Sequence, residues 1–270
     1  MCTTSTFTQS KAGTTMSTHD ALLAPFATPL DEQLAEWAIR YASKTALVEG
    51  HHRLSYCALN ERVDTAARHL HTLGIAPSDH VLLQLPNSAD FVIVLFALLR
   101  LGALPILMVP SLRERDLLPL LDATQPTAYI MEVAQHQAQA ETFRTHCPAL
   151  RLVIGRGDNS GMPDDSTVHP LSRLYAPCTQ PLPHLQRQGS DIAVLLLSGG
   201  TTGTPKLIPR THADYSYNFR ASAEVCGMDD RSVYLAGGTA YRPQLPTGLP
   251  RCTRHTVTGR SCGAIRYSQL

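Results

Sequence analysis

Aromatic side chains are scarce in this chain, at 6% of 270 residues with a single tryptophan, and charged residues make up only 17%. A net charge of +1 leaves no global basic field for nucleic acid or an anionic membrane. No apolar run is long enough to cross a bilayer, because proline or charged residues interrupt each candidate. The seven cysteines, at 2, 57, 147, 178, 226, 252 and 262, contain no CxxC pair. Their odd, scattered distribution fits reduced cytosolic thiols rather than a disulfide framework. The histidines include His51-His52 and His69/His71, but side chains two apart on a helix diverge, so no metal site is expected from them. Residues 1–19 are rich in Ser and Thr and lack the apolar centre of a secretory signal. They read as a disordered leader, with Met16 a second candidate start.

What is present is apolar material, 43% of the chain, enough for a sizeable core. From about Asp20 to Ala236 it alternates between helical and extended patterns. Leu34–Ala42 is a short amphipathic stretch. Ser55 is placed to cap a helix carrying Tyr56, Leu59, Val63, Ala66, Leu70 and Leu73 at three-to-four spacing, and Gly74 stops it. His80–Leu85 is a compact apolar strand. Asn87 or Ser88 then caps a strongly apolar helix through Leu101, closed by Gly102. Strand Leu104–Val109, helix Leu112–Ala123, strand Ala128–Met131, helix Glu132–His146 and strand Leu150–Ile154 continue the alternation. Apolar strands each followed by a helix imply an α/β fold with a largely parallel sheet covered on both faces. Residues 155–183, rich in Gly, Pro and Asp, read as a surface loop region.

Ile192–Leu197 is a buried-strand run that empties into Ser198-Gly199-Gly200-Thr201-Thr202-Gly203-Thr204-Pro205-Lys206. Three glycines let the backbone turn tightly and present its N–H groups to a ligand. The hydroxyls of Ser198, Thr201, Thr202 and Thr204 add donors, and Lys206 brings a positive charge. Such a loop suits a polyphosphate. It is not a Walker A motif, because Lys206 follows proline and Leu207 stands where a Ser or Thr would hold magnesium. Nor is it a dinucleotide fingerprint: Gly155-Arg156-Gly157 follows a strand, but Ser160 fills the third glycine position. A glycine-rich surface turn is the bland alternative.

The string SGGTTGTPK resembles the signature phosphate-binding loop of the adenylate-forming superfamily. The wider stretch LLLSGGTTGTPKLIPRTHADYSYNFRASAEVC resembles the stand-alone aryl-acid AMP ligases of siderophore synthesis, which activate salicylate or 2,3-dihydroxybenzoate; within them it is most similar to the salicyl-AMP ligases of yersiniabactin-type pathways. RLSYCALN (53–60) and LPNSADFVIVLFALLRLGALPILMVPS (85–111) resemble the first two core motifs of the superfamily. The resemblance covers about Pro29 to Ala236. It implies the N-terminal part of the adenylate-forming fold, truncated, and a cytoplasmic enzyme using ATP and Mg2+. The aryl carboxylate attacks the α-phosphate to give an aryl-adenylate and pyrophosphate, and the aryl group then passes to the phosphopantetheine thiol of an aryl carrier protein. Ser198, Gly199, Gly200, Thr201, Thr202, Gly203, Thr204 and Lys206 are the residues expected on the β- and γ-phosphates. The alternatives are another acyl-CoA-ligase-type member or a non-catalytic nucleotide-binding fragment with a basic tail.

The segment from Gly237 onward departs from the rest. It holds five arginines (242, 251, 254, 260, 266) and no Lys, Asp or Glu, so a tail of +5 follows a body of −4. Pro243, Pro246 and Pro250 exclude a long helix there. Ligases of this kind continue instead with a segment like ALPxAHNFPLxxPGVLGTLLxGGRVVL. Joining the last two bases of each codon to the first of the next lets Thr239-Ala240 read Leu, Ala240-Tyr241 Pro, Arg242-Pro243 Ala and Pro243-Gln244 His. Gln244-Leu245 permits only Asn or Ser, and Cys252 through Ala264 can read VLGTLLxGGRVVL. Each junction permits few amino acids, so the agreement implies a reading-frame slip beside Ala236. The expected organisation is therefore a leader at 1–19, a partial AMP-binding domain at 20–236 and an out-of-frame disordered tail at 237–270. The aryl-pocket residues and the catalytic lysine of the family have no counterpart here, and the 270-residue product is expected to be inactive.

Overall fold

The computed structural model describes residues 24–112, 114–157, 168–198, 206–235 and the strand 265–268. The expected leader and residues 236–264 lie outside the described residues.

A seven-stranded sheet carries the architecture. In chain order its strands are β3 (His80–Gln84), β4 (Leu104–Leu107), β5 (Ala128–Glu132), β6 (Leu152–Arg156), β7 (Val168–Pro170), β8 (Ile192–Leu197) and β9 (Leu207–Thr211). Their spatial order is β7-β6-β5-β3-β4-β8-β9, parallel throughout except for the antiparallel β8–β9 pair. Pro209 lacks an amide proton and sits in β9, an edge strand, where no ladder bond is lost on its outer side.

Period-two alternation divides each central strand between two cores. Val81, Leu83, Ile130 and Ile154 enter the core packed by α1 (Leu30–Arg40), α2 (Tyr56–Thr72) and α3 (Ala89–Arg100). Leu82, Tyr129, Met131 and Val153 enter the opposite core under α4 (Glu114–Thr124) and α5 (Val133–His146). Strands apolar on both sides therefore have helices on both sides, as the sequence pattern implies.

The helix ends follow local chemistry. The Ser55 and Ser88 hydroxyls accept from Ala58 N and Phe91 N, both at 3.1 Å, satisfying first-turn amides. Gly74 and Gly102 end α2 and α3 with φ of +92° and +68°, a region open to glycine without strain. Helix α1 starts one turn before the expected Leu34 and stops at Arg40, with Asp31 and Glu32 in its first turn and Arg40 in its last, matching the helix dipole.

Two elements correct the sequence reading. The stretch 155–183 is not all surface loop: β7 adds a parallel strand at the edge, and the 3-10 helix Leu171–Tyr175 buries Leu171 and Leu174. Its Gly, Pro and Asp content masks a short apolar anchor. The tail is not wholly without regular structure either. Strand β11 (Ile265–Ser268) pairs with β1 (Thr45–Glu49) and β10 (Val233–Leu235) in a small antiparallel sheet ordered β10-β11-β1-β2, where β2 is His52–Ser55. Ile and Tyr favour extended backbone, and an unpaired edge of β1 offers partners.

Candidate functional site

The expected phosphate loop joins β8 to β9. Residues 199–205 lie outside the described residues, so the site is built from its two ends. Ser198 N–H donates to the Lys206 carbonyl at 2.8 Å, and Lys206 N–H donates to Ser198 Oγ at 3.1 Å. Just below this neck Leu197 pairs with Leu207 and Leu196 with Ile208, so the loop springs from a closed hairpin. Ser198 Oγ accepts in this arrangement and retains its own proton to donate. The Lys206 side chain is exposed at the mouth.

Strand β8 runs parallel to β4, with Ile106 opposite Leu195 and Leu107 opposite Leu196. The mouth therefore lies at the carboxyl ends of the parallel strands, where open α/β sheets bind ligands. Beside it the turn after β4 is pinned from below: Gln84 Nε2 donates to the Val109 and Leu112 carbonyls, both at 3.1 Å. Tyr129 OH and Gln139 Nε2 donate to Gln84 Oε1 at 2.5 and 2.9 Å. Burial pushes the Tyr129 phenol upward, partly offset by Gln139, so it stays a donor.

The base of the hairpin is fastened to α6 (His212–Val225). Thr211 and Asp214 form a reciprocal capping box, with Asp214 N–H to Thr211 Oγ1 at 3.0 Å and Thr211 N–H to Asp214 Oδ2 at 3.2 Å. His212 N–H donates to the Asp191 carbonyl at 3.1 Å, and Ala213 N–H to Gly189 at 2.8 Å. His212 Nδ1 accepts from Leu30 N–H, the first amide of α1, at 3.1 Å. Burial lowers the His212 pKa to about 4, against the pull of Asp31, so the ring is neutral near pH 7 with its proton on Nε2. Asp31 is buried and holds Arg187 through two contacts of 2.7 Å. Sequence reading missed this fastening; its one local signal is the Thr-x-x-Asp spacing at the start of α6.

The near-miss glycine motif has another role. Arg156 binds Asp90 at 2.6 Å and Glu132 at 2.8 Å, and Tyr175 OH donates to Asp90. Although burial works against its charge, these carboxylates push the Arg156 pKa up. The residues close the sheet end around a structural ion cluster. Among the described residues no group of three His, Cys, Asp or Glu is arranged for a metal, and no helix is long and apolar enough to cross a membrane.

The family model for AMP-binding enzymes matches residues 34–239. The chain belongs to the AMP-binding enzyme family. Among curated proteins it is 39% identical over 215 residues to a salicyl-AMP ligase / salicyl-S-ArCP synthetase of Mycobacterium tuberculosis, covering 76% of this chain and 37% of that protein. It is 37% identical over 207 residues to a 2,3-dihydroxybenzoate-AMP ligase of Bacillus subtilis, covering 75% and 37%. Among solved structures it superposes on Mycobacterium smegmatis MbtA, without ligand, with a TM-score of 0.70 and 35% identity, covering 77% of this chain and 38% of that one. This AMP-binding chain thus spans well under half the length of the relatives it matches. It has the α/β fold, with the mostly parallel sheet, expected from its sequence.

Proposed function

We propose that this chain carries the front part of an ATP-dependent aryl-acid ligase of siderophore biosynthesis, acting on salicylate or 2,3-dihydroxybenzoate. The observation that carries the reading is the Ser198–Lys206 neck, which gathers a Gly- and Thr-rich segment and a free ammonium at the ligand edge of the sheet. The similarity to salicylate and dihydroxybenzoate ligases supports the substrate class.

The site fits polyphosphate. Ser198 retains a hydroxyl proton to donate, Lys206 supplies a mobile point charge, and the loop contains no carboxylate to repel an anion. In this reading the amides and hydroxyls of Ser198, Gly199, Gly200, Thr201, Thr202, Gly203 and Thr204 hold the β- and γ-phosphates of ATP. Lys206 offsets charge on the departing pyrophosphate. Magnesium would accompany the nucleotide, and the chemistry it would supply is to neutralise phosphate charge. The aryl group passes to an aryl carrier protein, and the enzyme works in the cytoplasm.

The 270-residue product is itself inactive in this reading. Adenylation needs carboxylate, α-phosphate and metal held together, and a tail without Asp, Glu or apolar periodicity supplies neither a pocket nor a metal ligand. One experiment tests the whole reading: salicylate- and 2,3-dihydroxybenzoate-dependent ATP–pyrophosphate exchange by the 270-residue chain, a frame-restored protein and its Lys206→Ala variant. The frame-restored protein is expected to prefer aryl acids over aliphatic and amino acids, the variant to lose about a hundredfold, and the 270-residue chain to be silent. Unchanged exchange in Lys206→Ala, a faster aliphatic substrate, or turnover by the 270-residue chain within about tenfold of the restored protein overturns the corresponding part.

A further inference from the structure

Helix α1 begins without a cap of its own. Pro29 stands at its N-cap position and offers no side-chain acceptor to the first-turn amides. The Leu30 amide is taken instead by His212 Nδ1 at 3.1 Å, from the first residue of α6. An imidazole thus caps α1 from 182 residues away.

That cap matters because α1 is lightly seated. Of its 11 residues only Leu34 and Ala38 are buried apolar side chains. Beside it an apolar groove of about 740 Å3, with Trp37, Leu95 and Phe219 in its walls, runs between α1, α3 and α6. Ile39 is 84% exposed. Polar ties supply much of the rest: Gln33 Nε2 donates to Ser216 Oγ at 2.6 Å and to the Thr28 carbonyl at 2.8 Å, and Asp31 holds Arg187. Segments with few apolar contacts open locally before a whole domain does.

The cap works in one protonation state. A neutral ring with its proton on Nε2 accepts at Nδ1. An imidazolium has no lone pair there, and it sets a positive charge against the positive end of α1. The charged groups around the ring do not rescue it. On α1, Asp31 is already shared between Arg187, through two contacts of 2.7 Å, and Arg100 of α3 at 4.0 Å. Glu32 is half exposed and lies 3.6 Å from Arg187. In the connection before β8, Arg187 repels a charge on the ring; Asp191 attracts it, but is exposed and accepts from Gln188 N–H at 2.8 Å. On α6 itself, Asp214 is engaged in the capping box with Thr211.

We propose that His212 is an acid-operated latch: its protonation uncaps α1 and releases this helix from α6, while α6 and the β8–β9 hairpin stay folded. The inference rests on neither the ligase reading nor the reading frame after Ala236. Because α6 keeps its own cap in Thr211 and Asp214, losing the latch does not unravel it. The released form takes up a proton that the docked form refuses. Release is therefore favoured as pH falls below 6.5 and levels off below about 4.

Amide hydrogen exchange of the 270-residue chain, resolved by peptide and corrected for the intrinsic pH dependence of exchange, tests the latch. Between pH 7 and pH 4.5 the protection of α1 should fall about fiftyfold, while that of α5 stays level. Trp37, the only tryptophan, meets Phe219 edge to face at 6.1 Å, so its emission should shift to the red over the same range. His212→Asn keeps an acceptor and cannot titrate, so both signals should stay flat. His212→Ala, with no acceptor, should show the low protection of α1 already at pH 7. An equal fall in wild type and His212→Asn, or a fall shared by α5, overturns the proposal. Should His212→Asn not fold, the wild-type chain decides: the loss of α1 protection must track the titration of the His212 ring followed by NMR, and a loss at a different pH overturns it.

Discussion

The two faces of the large sheet are finished differently. Under α4 and α5 the core is closed: Leu82, Tyr129, Phe143 and Val153 are fully buried, and the buried Gln84, Tyr129 and Gln139 hydrogen-bond to one another. On the other face the core is equally tight beneath α2, where Val63, Ala66 and Leu70 are fully buried, but it opens into the groove between α1, α3 and α6. There polar fastenings do much of what packing does elsewhere. His212 ties α6 to α1, and Gln33 Nε2 donates to Ser216 Oγ at 2.6 Å. The closed face rests on local βαβ units that are complete within the chain.

The sharpest way to break that comparison is paired truncation. Phe143→Ala, in the closed core, should cost about 3–5 kcal/mol. Leu95→Ala, on the groove wall, should cost no more than about 1 kcal/mol. Urea midpoints and slopes measure both; similar losses would mean that the groove is packed after all.

A smaller effect concerns pH. His212 has an unfolded pKa of 6.5 and a folded one of about 4, because burial disfavours its charge. The unfolded chain therefore takes up a proton that the folded chain refuses between those values. The contribution is fully present above about pH 6.5 and shrinks as pH falls toward 4, by on the order of 3 kcal/mol. His212→Asn keeps an acceptor where Nδ1 stands and cannot titrate, so its stability should fall less between pH 7 and pH 4.5. Parallel pH profiles for the two proteins would show that His212 is not the group responsible.

The smallest effect should come from the neck, which belongs to neither face. Ser198→Ala removes the acceptor of an exposed amide and should cost less than about 1 kcal/mol in thermal unfolding. A loss above about 2 kcal/mol would make the neck part of the sheet's own stability.

Legibility followed the range of the interaction. Ser55, Ser88, Gly74 and Gly102 act on their own helix ends, and a sequence shows such chemistry directly. The parallel sheet was readable because each strand alternates between two buried faces. The β1–β2 hairpin was not: its strands are short and half polar, and its turn depends on Gly50 at φ +58°. The Leu30–His212 bond joins residues 182 apart, and no spacing rule reaches that far. The segment between β8 and β9 stands out by composition, but its neck does not, because the pairing of Ser198 with Lys206 belongs to the hairpin register.

That neck makes the loop a cassette. Its two ends are held together by bonds lying outside residues 199–205, so the entropy of bringing them together is already met by the β8–β9 ladder and not by whatever sequence hangs above it. Insertions, deletions or grafted segments between Gly199 and Pro205 should therefore leave the hairpin register intact. In evolutionary terms, the sequence between the two ends is free to drift without the scaffold having to be refolded around it.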